Sequence, residues 1–329
     1  MSLIKLNQKA YEFNLDQIAN KTGNFDRIIC VFKDNAYGHG ATLLAPIAKN
    51  KGINFIAVKN EQEANELKNF FDSILILSHR PNGNENLNFI YALNDINLIE
   101  KFKPLSRIHL KIDTNMHRNG IKFQDLDKAY NSILKYNLKL EGVFTHFSSA
   151  DSIDDFYFKQ KNNFQKVKEW FYKKCDEKLI FHSFNSAALF NSPIPEDEYC
   201  RVGLVQFGYG ALHLKKVLSL YAHKLSQRIL KAGESIGYSN AYTALKDLNI
   251  ATYDLGYGDG LFRYDAKGEL RLVNGKKILG KMSMDSFSCE DSGDEICVFD
   301  DASVWANFFN TIDYEILVKL HPGIKRIII

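Results

Sequence analysis

Ile28-Ile29-Cys30-Val31-Phe32-Lys33-Asp34-Asn35-Ala36-Tyr37-Gly38-His39-Gly40 joins an apolar run to a lysine and then to a turn punctuated by two glycines. Five apolar residues in succession predict a strand buried on both faces, as in a parallel sheet. A lysine placed where such a strand ends is costly unless its charge is used or removed. A half-buried lysine with a lowered pKa is a nucleophilic amine, able to form a Schiff base with an aldehyde. Tyr37, Gly38 and Gly40 then suit a backbone that comes close to a phosphate. A strand-end lysine that merely reaches to solvent is the plainer alternative.

Outward from this stretch the apolar runs recur. Strands are expected at 27–33, 53–58, 74–78, 89–92, 107–113, 141–146, 179–184 and 202–207, with amphipathic helices between them at 61–71, 124–136 and 155–174. Eight strands alternating with helices is the count of a (β/α)8 barrel of the TIM type. A doubly wound open sheet has the same periodicity, but no GxGxxG follows the first strand, so its dinucleotide-binding version has little support. After about Lys215 the texture changes. Residues 218–231 and 251–255 alternate apolar and polar side chains, and turn signals occur at Ala232-Gly233-Glu234 and Asn274-Gly275. The division expected is an α/β barrel over 1–215 and a mainly-β domain over 216–329.

The composition narrows the class. Of 329 residues, 45% are hydrophobic and 25% charged, an ordinary globular balance. With 42 basic and 39 acidic side chains the net charge is +3, too near neutral to mark a nucleic-acid or anionic-membrane partner. The first 15 residues lack the apolar core of a signal peptide, and no apolar run approaches the ~20 residues of a membrane span, so a cytoplasmic protein is expected. The five cysteines, at 30, 175, 200, 289 and 297, form no CxxC pair and fit a reducing compartment. His79, His109 and His182 have no metal-ligand spacing, so no metal is expected.

Active sites of such barrels lie at the C-terminal ends of the strands. Five strand termini carry a coherent set: strand one ends at Lys33, strand five runs into Lys111 to Gly120 with Arg118, strand six ends at His146, strand seven is followed by Asn185-Ser186-Ala187-Ala188, and strand eight begins at Arg201-Val202-Gly203-Leu204. Taken singly, Ser186 reads equally as a helix cap, His146 as a satisfied core histidine and Arg201 as an ion-pair member. Together they point to cations and phosphate-binding backbone around one ligand.

At this point a resemblance emerges. Val31-Phe32-Lys33-Asp34-Asn35-Ala36-Tyr37-Gly38-His39-Gly40 resembles the pyridoxal-phosphate attachment segment of alanine racemases. Asp113-Thr114-Asn115-Met116-His117-Arg118-Asn119-Gly120 is similar to that family's D-T-G-M-x-R-x-G, and Thr145-His146-Phe147-Ser148-Ser149-Ala150-Asp151 to its T-H-F-x-x-A-D. Asn185-Ser186-Ala187-Ala188 and Arg201-Val202-Gly203 follow in order. Gly237-Tyr238-Ser239-Asn240-Ala241-Tyr242, Gly256-Tyr257-Gly258-Asp259-Gly260 and Gly280-Lys281-Met282-Ser283-Met284-Asp285 continue the match through the second domain.

The resemblance implies a fold-type III enzyme that binds pyridoxal 5'-phosphate and racemises alanine, supplying D-alanine for peptidoglycan. It also implies a homodimer with shared active sites. Lys33 would hold the cofactor and act as base on one face of the substrate, and Tyr238 from the partner subunit would be the base on the other. Arg201 would face the pyridine nitrogen; His146 would support the ring; Tyr37, Ser186, Gly203 and Leu204 would cradle the phosphate. Arg118 and the backbone of Met284 from the partner would bind the substrate carboxylate, and Lys111 sits where the family often carries a carbamylated lysine.

There are departures. Asn115 replaces a glycine, Val202 a proline, and Lys281 stands where many members have arginine. An ungapped alignment on Tyr314-Glu315-Ile316 puts Pro322 where a tyrosine usually touches the phosphate, which predicts looser cofactor retention and a wider mouth. The rival readings are a racemase for serine or for several amino acids, and a non-catalytic pyridoxal-phosphate carrier, which would need no counterpart of Tyr238. A basic amino-acid decarboxylase is disfavoured by the lack of a glycine-rich phosphate loop after a late strand.

Overall fold

A computed structural model describes residues 1–329. The chain forms two compact units: Glu12–Ala36 with Leu44–Leu214, and Met1–Tyr11 with Tyr37–Leu43 and Lys215–Ile329. Strand β1 (Leu3–Leu6) belongs to the second unit.

The first unit is a closed, all-parallel barrel. Its strands are β2 (Ile28–Val31), β3 (Phe55–Val58), β4 (Ser73–Ile76), β5 (Ile90–Leu93), β6 (Arg107–Lys111), β7 (Lys139–Phe144), β8 (Ile180–Phe184) and β9 (Glu198–Val202). β9 returns to β2 through Ile28↔Cys200, Ile29↔Arg201 and Cys30↔Val202. Every residue of β2, β3 and β5 is buried, which is why their sequences read as unbroken apolar runs. The helices start where capping side chains allow. Asn60 accepts the Glu63 N–H at 3.0 Å to open Glu61–Leu67, and Asp154 accepts the Tyr157 N–H at 2.9 Å to open Asp155–Lys174. No helix is long and apolar enough to cross a membrane.

The eighth strand corrects the sequence reading. It runs over Glu198–Val202, and Leu204–Phe207 forms a buried 3-10 turn closed by Gly208 in the left-handed region. The segment Leu204–Phe207, apolar except for Gln206, is buried without being extended, and Arg201 therefore lies toward the strand's C-terminal end instead of opening it.

The second unit is built on a six-stranded sheet. Its long strand β10 (Leu218–Leu230) is followed along the chain by β13 (Leu248–Tyr253), β14 (Phe287–Glu290), β15 (Glu295–Phe299) and β16 (Lys325–Ile328), while β11 (Ser235–Ile236) and β12 (Tyr242–Thr243) form a separate two-stranded ribbon. The sheet order is β14-β13-β10-β1-β16, with β15 also on β10. β1 pairs antiparallel with β10 and parallel with β16, so both ends of the chain lie in this sheet. The residue ranges differ from a single cut after Lys215 because Met1–Tyr11 and Tyr37–Leu43 cluster here. Gly38 shows why the second segment stays: its φ is +81°, and a Cβ there would stand 2.1 Å from the Leu317 carbonyl oxygen. The Arg326 Nε then donates to the Gly38 carbonyl at 2.9 Å.

Candidate active site

Lys33 follows the end of β2 and is half-buried. The chain leaves it through four consecutive left-handed residues, Asp34, Asn35, Ala36 and Tyr37, with φ between 52° and 55°. Outside glycine this costs about 1–2 kcal/mol per residue, so surrounding contacts must hold the turn. Some are visible: the Asp34 N–H donates to Glu63 Oε1 at 2.6 Å, the Asp34 carboxylate pairs with Lys59 at 2.9 Å, and Glu63 Oε2 accepts the Lys59 N–H at 2.7 Å.

Arg201 is buried near the end of β9. Its Nη2 donates to the Thr145 carbonyl at 2.5 Å, and its Nη1 donates to His182 Nδ1 at 2.9 Å and to the His182 carbonyl. Because arginine only donates, His182 Nδ1 accepts and its Nε2 carries the proton, which it gives to His109 Nδ1 at 2.7 Å. Three of the five guanidinium donors are thereby used, leaving two for a ligand. Burial brings Arg201 down to about 10, still cationic at neutral pH. In the sequence the two histidines show only that they lack metal-ligand spacing. The signal that marks them is a polar residue inside a fully buried parallel strand.

His146, half-buried just beyond β7, is held at about 3, first by burial and then by the cations of Arg201, Arg118, Lys111 and Lys33. Lys111 is buried, is pushed down to about 8 by burial, Arg118 and Arg201, and donates to Asn119 Oδ1. Arg118 is exposed and forms no ion pair. It rides on a loop shaped by Asp113, whose Oδ1 accepts the N–H groups of Asn115 and His117 at 3.1 and 3.0 Å. Asn115 sits at φ 94°, the left-handed position that its glycine-like place in the motif requires.

Ser186 opens the helix Ser186–Asn191, but the cap is Asn185, which accepts the Ala188 N–H at 3.0 Å. The Ser186 hydroxyl instead accepts the Gly203 N–H at 2.9 Å, with its own proton left to give. Leu204 begins the 3-10 turn, and its N–H makes no main-chain hydrogen bond.

Tyr37, Tyr238 and Met284 belong to the other unit. The Tyr37 ring is buried edge-on against Tyr314, centroids 5.7 Å apart. Tyr238 is 61% exposed on the ribbon between β11 and β12, presented by left-handed Ser239 and Asn240. Met284 is also exposed; its carbonyl accepts the Gly258 N–H at 2.7 Å, and Gly256 passes so close that a Cβ there would be 2.2 Å from the same oxygen. Pro322 is exposed, its carbonyl accepting from Arg326 Nη1 at 3.1 Å.

The buried histidines have a consequence for acid stability. His109 and His146 are held at about 3 and His182 well below its ordinary value, burial being the first cause in each. In the unfolded chain they titrate near pH 6.5. Between about pH 6.5 and 3 the unfolded state binds more protons, so stability falls as pH falls, by about 1.4 kcal/mol per pH unit for each group. Denaturant unfolding of the cofactor-free protein at pH 7 and pH 5 is expected to show a loss of several kcal/mol. His109→Asn removes one titrating group and should shallow the slope; an unchanged slope rejects the account.

A family model described as the alanine racemase N-terminal domain matches residues 6–211, and one for the C-terminal domain matches residues 217–328. An alanine racemase from Campylobacter jejuni subsp. jejuni strain 81-176 is 67% identical over 329 residues, covering 100% of both chains. One from Campylobacter curvus is 55% identical, covering 99% of each. Among solved structures, alanine racemase from Clostridium difficile 630 superposes with a TM-score of 0.90 at 26% identity, covering 100% of this chain and 95% of that one. The enzyme from Bartonella henselae, solved with covalently bound pyridoxal phosphate, gives 0.82 at 26% identity, covering 100% and 99%. With both family models spanning nearly its whole length and relatives sharing more than half its residues, the chain belongs to the alanine racemase family.

Proposed function

We propose that this chain interconverts L-alanine and D-alanine with pyridoxal 5'-phosphate, Lys33 and Tyr238 exchanging protons with opposite faces of the substrate α-carbon. The observation that carries the reading is the gathering of basic side chains at the strand ends of the barrel: Lys33 after β2, Lys111 at the end of β6 with Arg118 on the loop beyond it, and Arg201 near the end of β9, hydrogen-bonded to the Thr145 carbonyl next to His146. Four cations at the strand ends of a barrel call for a small anionic ligand. The residues fit pyridoxal phosphate in particular. Lys33 offers an amine to an aldehyde, Arg201 keeps two unused donors for a ring nitrogen, and the Ser186 hydroxyl and Leu204 N–H offer donors to a phosphate.

When bound, the cofactor supplies the electron sink that lets an α-proton leave. The chain supplies the rest. The Lys33 amine would serve as a base on one face, and Tyr238 of the partner subunit on the other. Two bases flanking one planar carbon take a proton and return one without moving it. Arg118 and the N–H of Met284 of the partner subunit hold the substrate carboxylate. Arg118 also favours the ionised form of a nearby tyrosine. Arg201 does not give up its proton, so the ring nitrogen is left unprotonated. Tyr37, four residues after Lys33, adds its hydroxyl to the phosphate. The exposure of Tyr238 and Met284 supports a second subunit completing the site. The product D-alanine feeds peptidoglycan, and five unpaired thiols suit the cytoplasm.

The test uses single enantiomers of alanine, serine and other amino acids in deuterated water. Alanine should racemise fastest with deuterium entering the α-position; faster turnover of another amino acid overturns the preference. Borohydride reduction and peptide mapping should place a pyridoxyl group on Lys33. A label on another lysine, with Lys33 unmodified, sinks that assignment.

Pro322 bears on substrate range. Proline offers no hydroxyl to phosphate, and a hydrogen bond to a charged group is typically worth ~1.5–3 kcal/mol. Tyr314, packed on Tyr37, is one candidate to supply the hydroxyl instead. Pro322→Tyr is expected to slow cofactor dissociation and raise the ratio of alanine to serine activity. If neither moves, the position governs neither property.

A further inference from the structure

Where β2 and β9 diverge, their ladder stops with one bond still owed. The Cys200 N–H donates to the Arg27 carbonyl at 2.9 Å, and the register continues to Cys30↔Val202. In a parallel pair the donors recur every second residue, so the next acceptor is the Val31 carbonyl and its ladder donor would be the Leu204 N–H. That bond is not made, because the chain turns at Gly203 into the 3-10 segment Leu204–Phe207. A buried carbonyl without a donor is costly. Gln206, wholly buried, meets the need: its Nε2 donates to the Val31 carbonyl at 3.2 Å, the Val202 carbonyl at 2.8 Å and the Gly203 carbonyl at 3.2 Å. Its main chain is anchored in turn, the N–H to the Gly203 carbonyl at 3.1 Å and the carbonyl to buried Asn14 Nδ2 at 3.0 Å.

We propose that Gln206 is a positioning residue of the phosphate site: its side-chain amide takes the ladder place of the Leu204 N–H at the Val31 carbonyl and so releases that N–H, beside Ser186 and Gly203, to an anionic oxygen. The inference rests on the reading of these residues as a pyridoxal-phosphate cradle. It links the strand that leads to Lys33 with the turn that receives the phosphate, through one side chain that touches neither the ring nor the reacting carbon.

The test is equilibrium binding to the full-length cofactor-free protein, comparing pyridoxamine 5'-phosphate with pyridoxamine. Neither needs the Lys33 amine, and their affinity ratio isolates the phosphate. Gln206→Met, of similar volume but without donors, should lower that ratio by about tenfold, the worth of one charge-assisted hydrogen bond, while pyridoxamine itself binds as before. Gln206→Asn, one carbon short of the carbonyls, should behave alike and serves if the methionine variant does not fold. Ser186→Ala is the control. If it lowers the ratio and the Gln206 variants do not, the positioning role is overturned and the cradle stands. If the unaltered protein shows no preference for the phosphorylated amine, the cradle reading itself fails. Equal loss for both ligands in the Gln206 variants makes the residue merely structural and overturns the proposal. A second measurement needs no variant: the Leu204 amide proton of the unaltered protein should move downfield on addition of inorganic phosphate, and a stationary resonance rejects its release to an anion.

Discussion

Lys33→Ala and Tyr238→Phe proteins, each nearly inactive by itself, are expected to regain activity when their subunits are mixed and allowed to exchange. Removing one of two bases costs about 10²–10⁴-fold, since each contributes proton transfer in one direction of every turnover. In a symmetric dimer whose sites draw Lys33 from one chain and Tyr238 from the other, the mixed dimer has one site with both bases and one with neither. Equal mixing makes half of the dimers mixed, so roughly a quarter of the unaltered activity should return. A dimer in which each chain serves its own site predicts the opposite: every site lacks one base, and mixing restores nothing. The exposed setting of Tyr238, on a two-stranded ribbon with left-handed residues behind it, favours the shared arrangement. Verified exchange with no recovered activity rejects Tyr238 as the partner's second base.

Much of this architecture is legible in the order of the residues, and the misreadings have physical causes. Seven barrel strands stand out as apolar runs because both faces of a parallel strand are covered. The eighth is displaced because Leu204–Phe207, apolar except for Gln206, is as buried as a strand, and burial alone does not distinguish a 3-10 turn from extended chain. The pairing of Leu3–Leu6 with Tyr221 and Lys325 joins segments hundreds of residues apart, which no local pattern encodes. The left-handed run from Asp34 to Tyr37 has no compositional mark beyond Asp34 and Asn35, since Ala and Tyr ordinarily avoid that region. Gly38 is legible as a necessary glycine, although what crowds it is the Leu317 carbonyl. Between Asn185 and Ser186 propensity does not choose the cap, both types being good ones. The chain from Arg201 through His182 to His109 depends on the register of neighbouring strands and leaves no trace in spacing.

Replacing Arg201 by glutamate is expected to lower racemisation by about 10²–10³-fold, the loss seen when an aligned active-site donor is removed, while raising the share of substrate diverted to transamination. Arginine at this position remains a donor at neutral pH, since burial brings it only to about 10. On the proposed placement it would leave the ring nitrogen of a bound cofactor without a proton. A carboxylate in its place would accept a hydrogen bond and favour a protonated ring nitrogen, making a bound cofactor a stronger electron sink and opening the transamination side reaction. The substitution also sets a carboxylate against the Thr145 and His182 carbonyls and His182 Nδ1, all acceptors, so some loss of stability is expected. Arg201→Lys separates the two effects. It keeps a cation and donors but loses the planar fork, so it should weaken the same contacts without protonating the ring. Pyruvate released per racemisation event is the quantity to compare. It should rise for Arg201→Glu and stay near the unaltered value for Arg201→Lys. An equal rise in both assigns the diversion to a loosened pocket, and no rise in either removes Arg201 from control of the ring nitrogen.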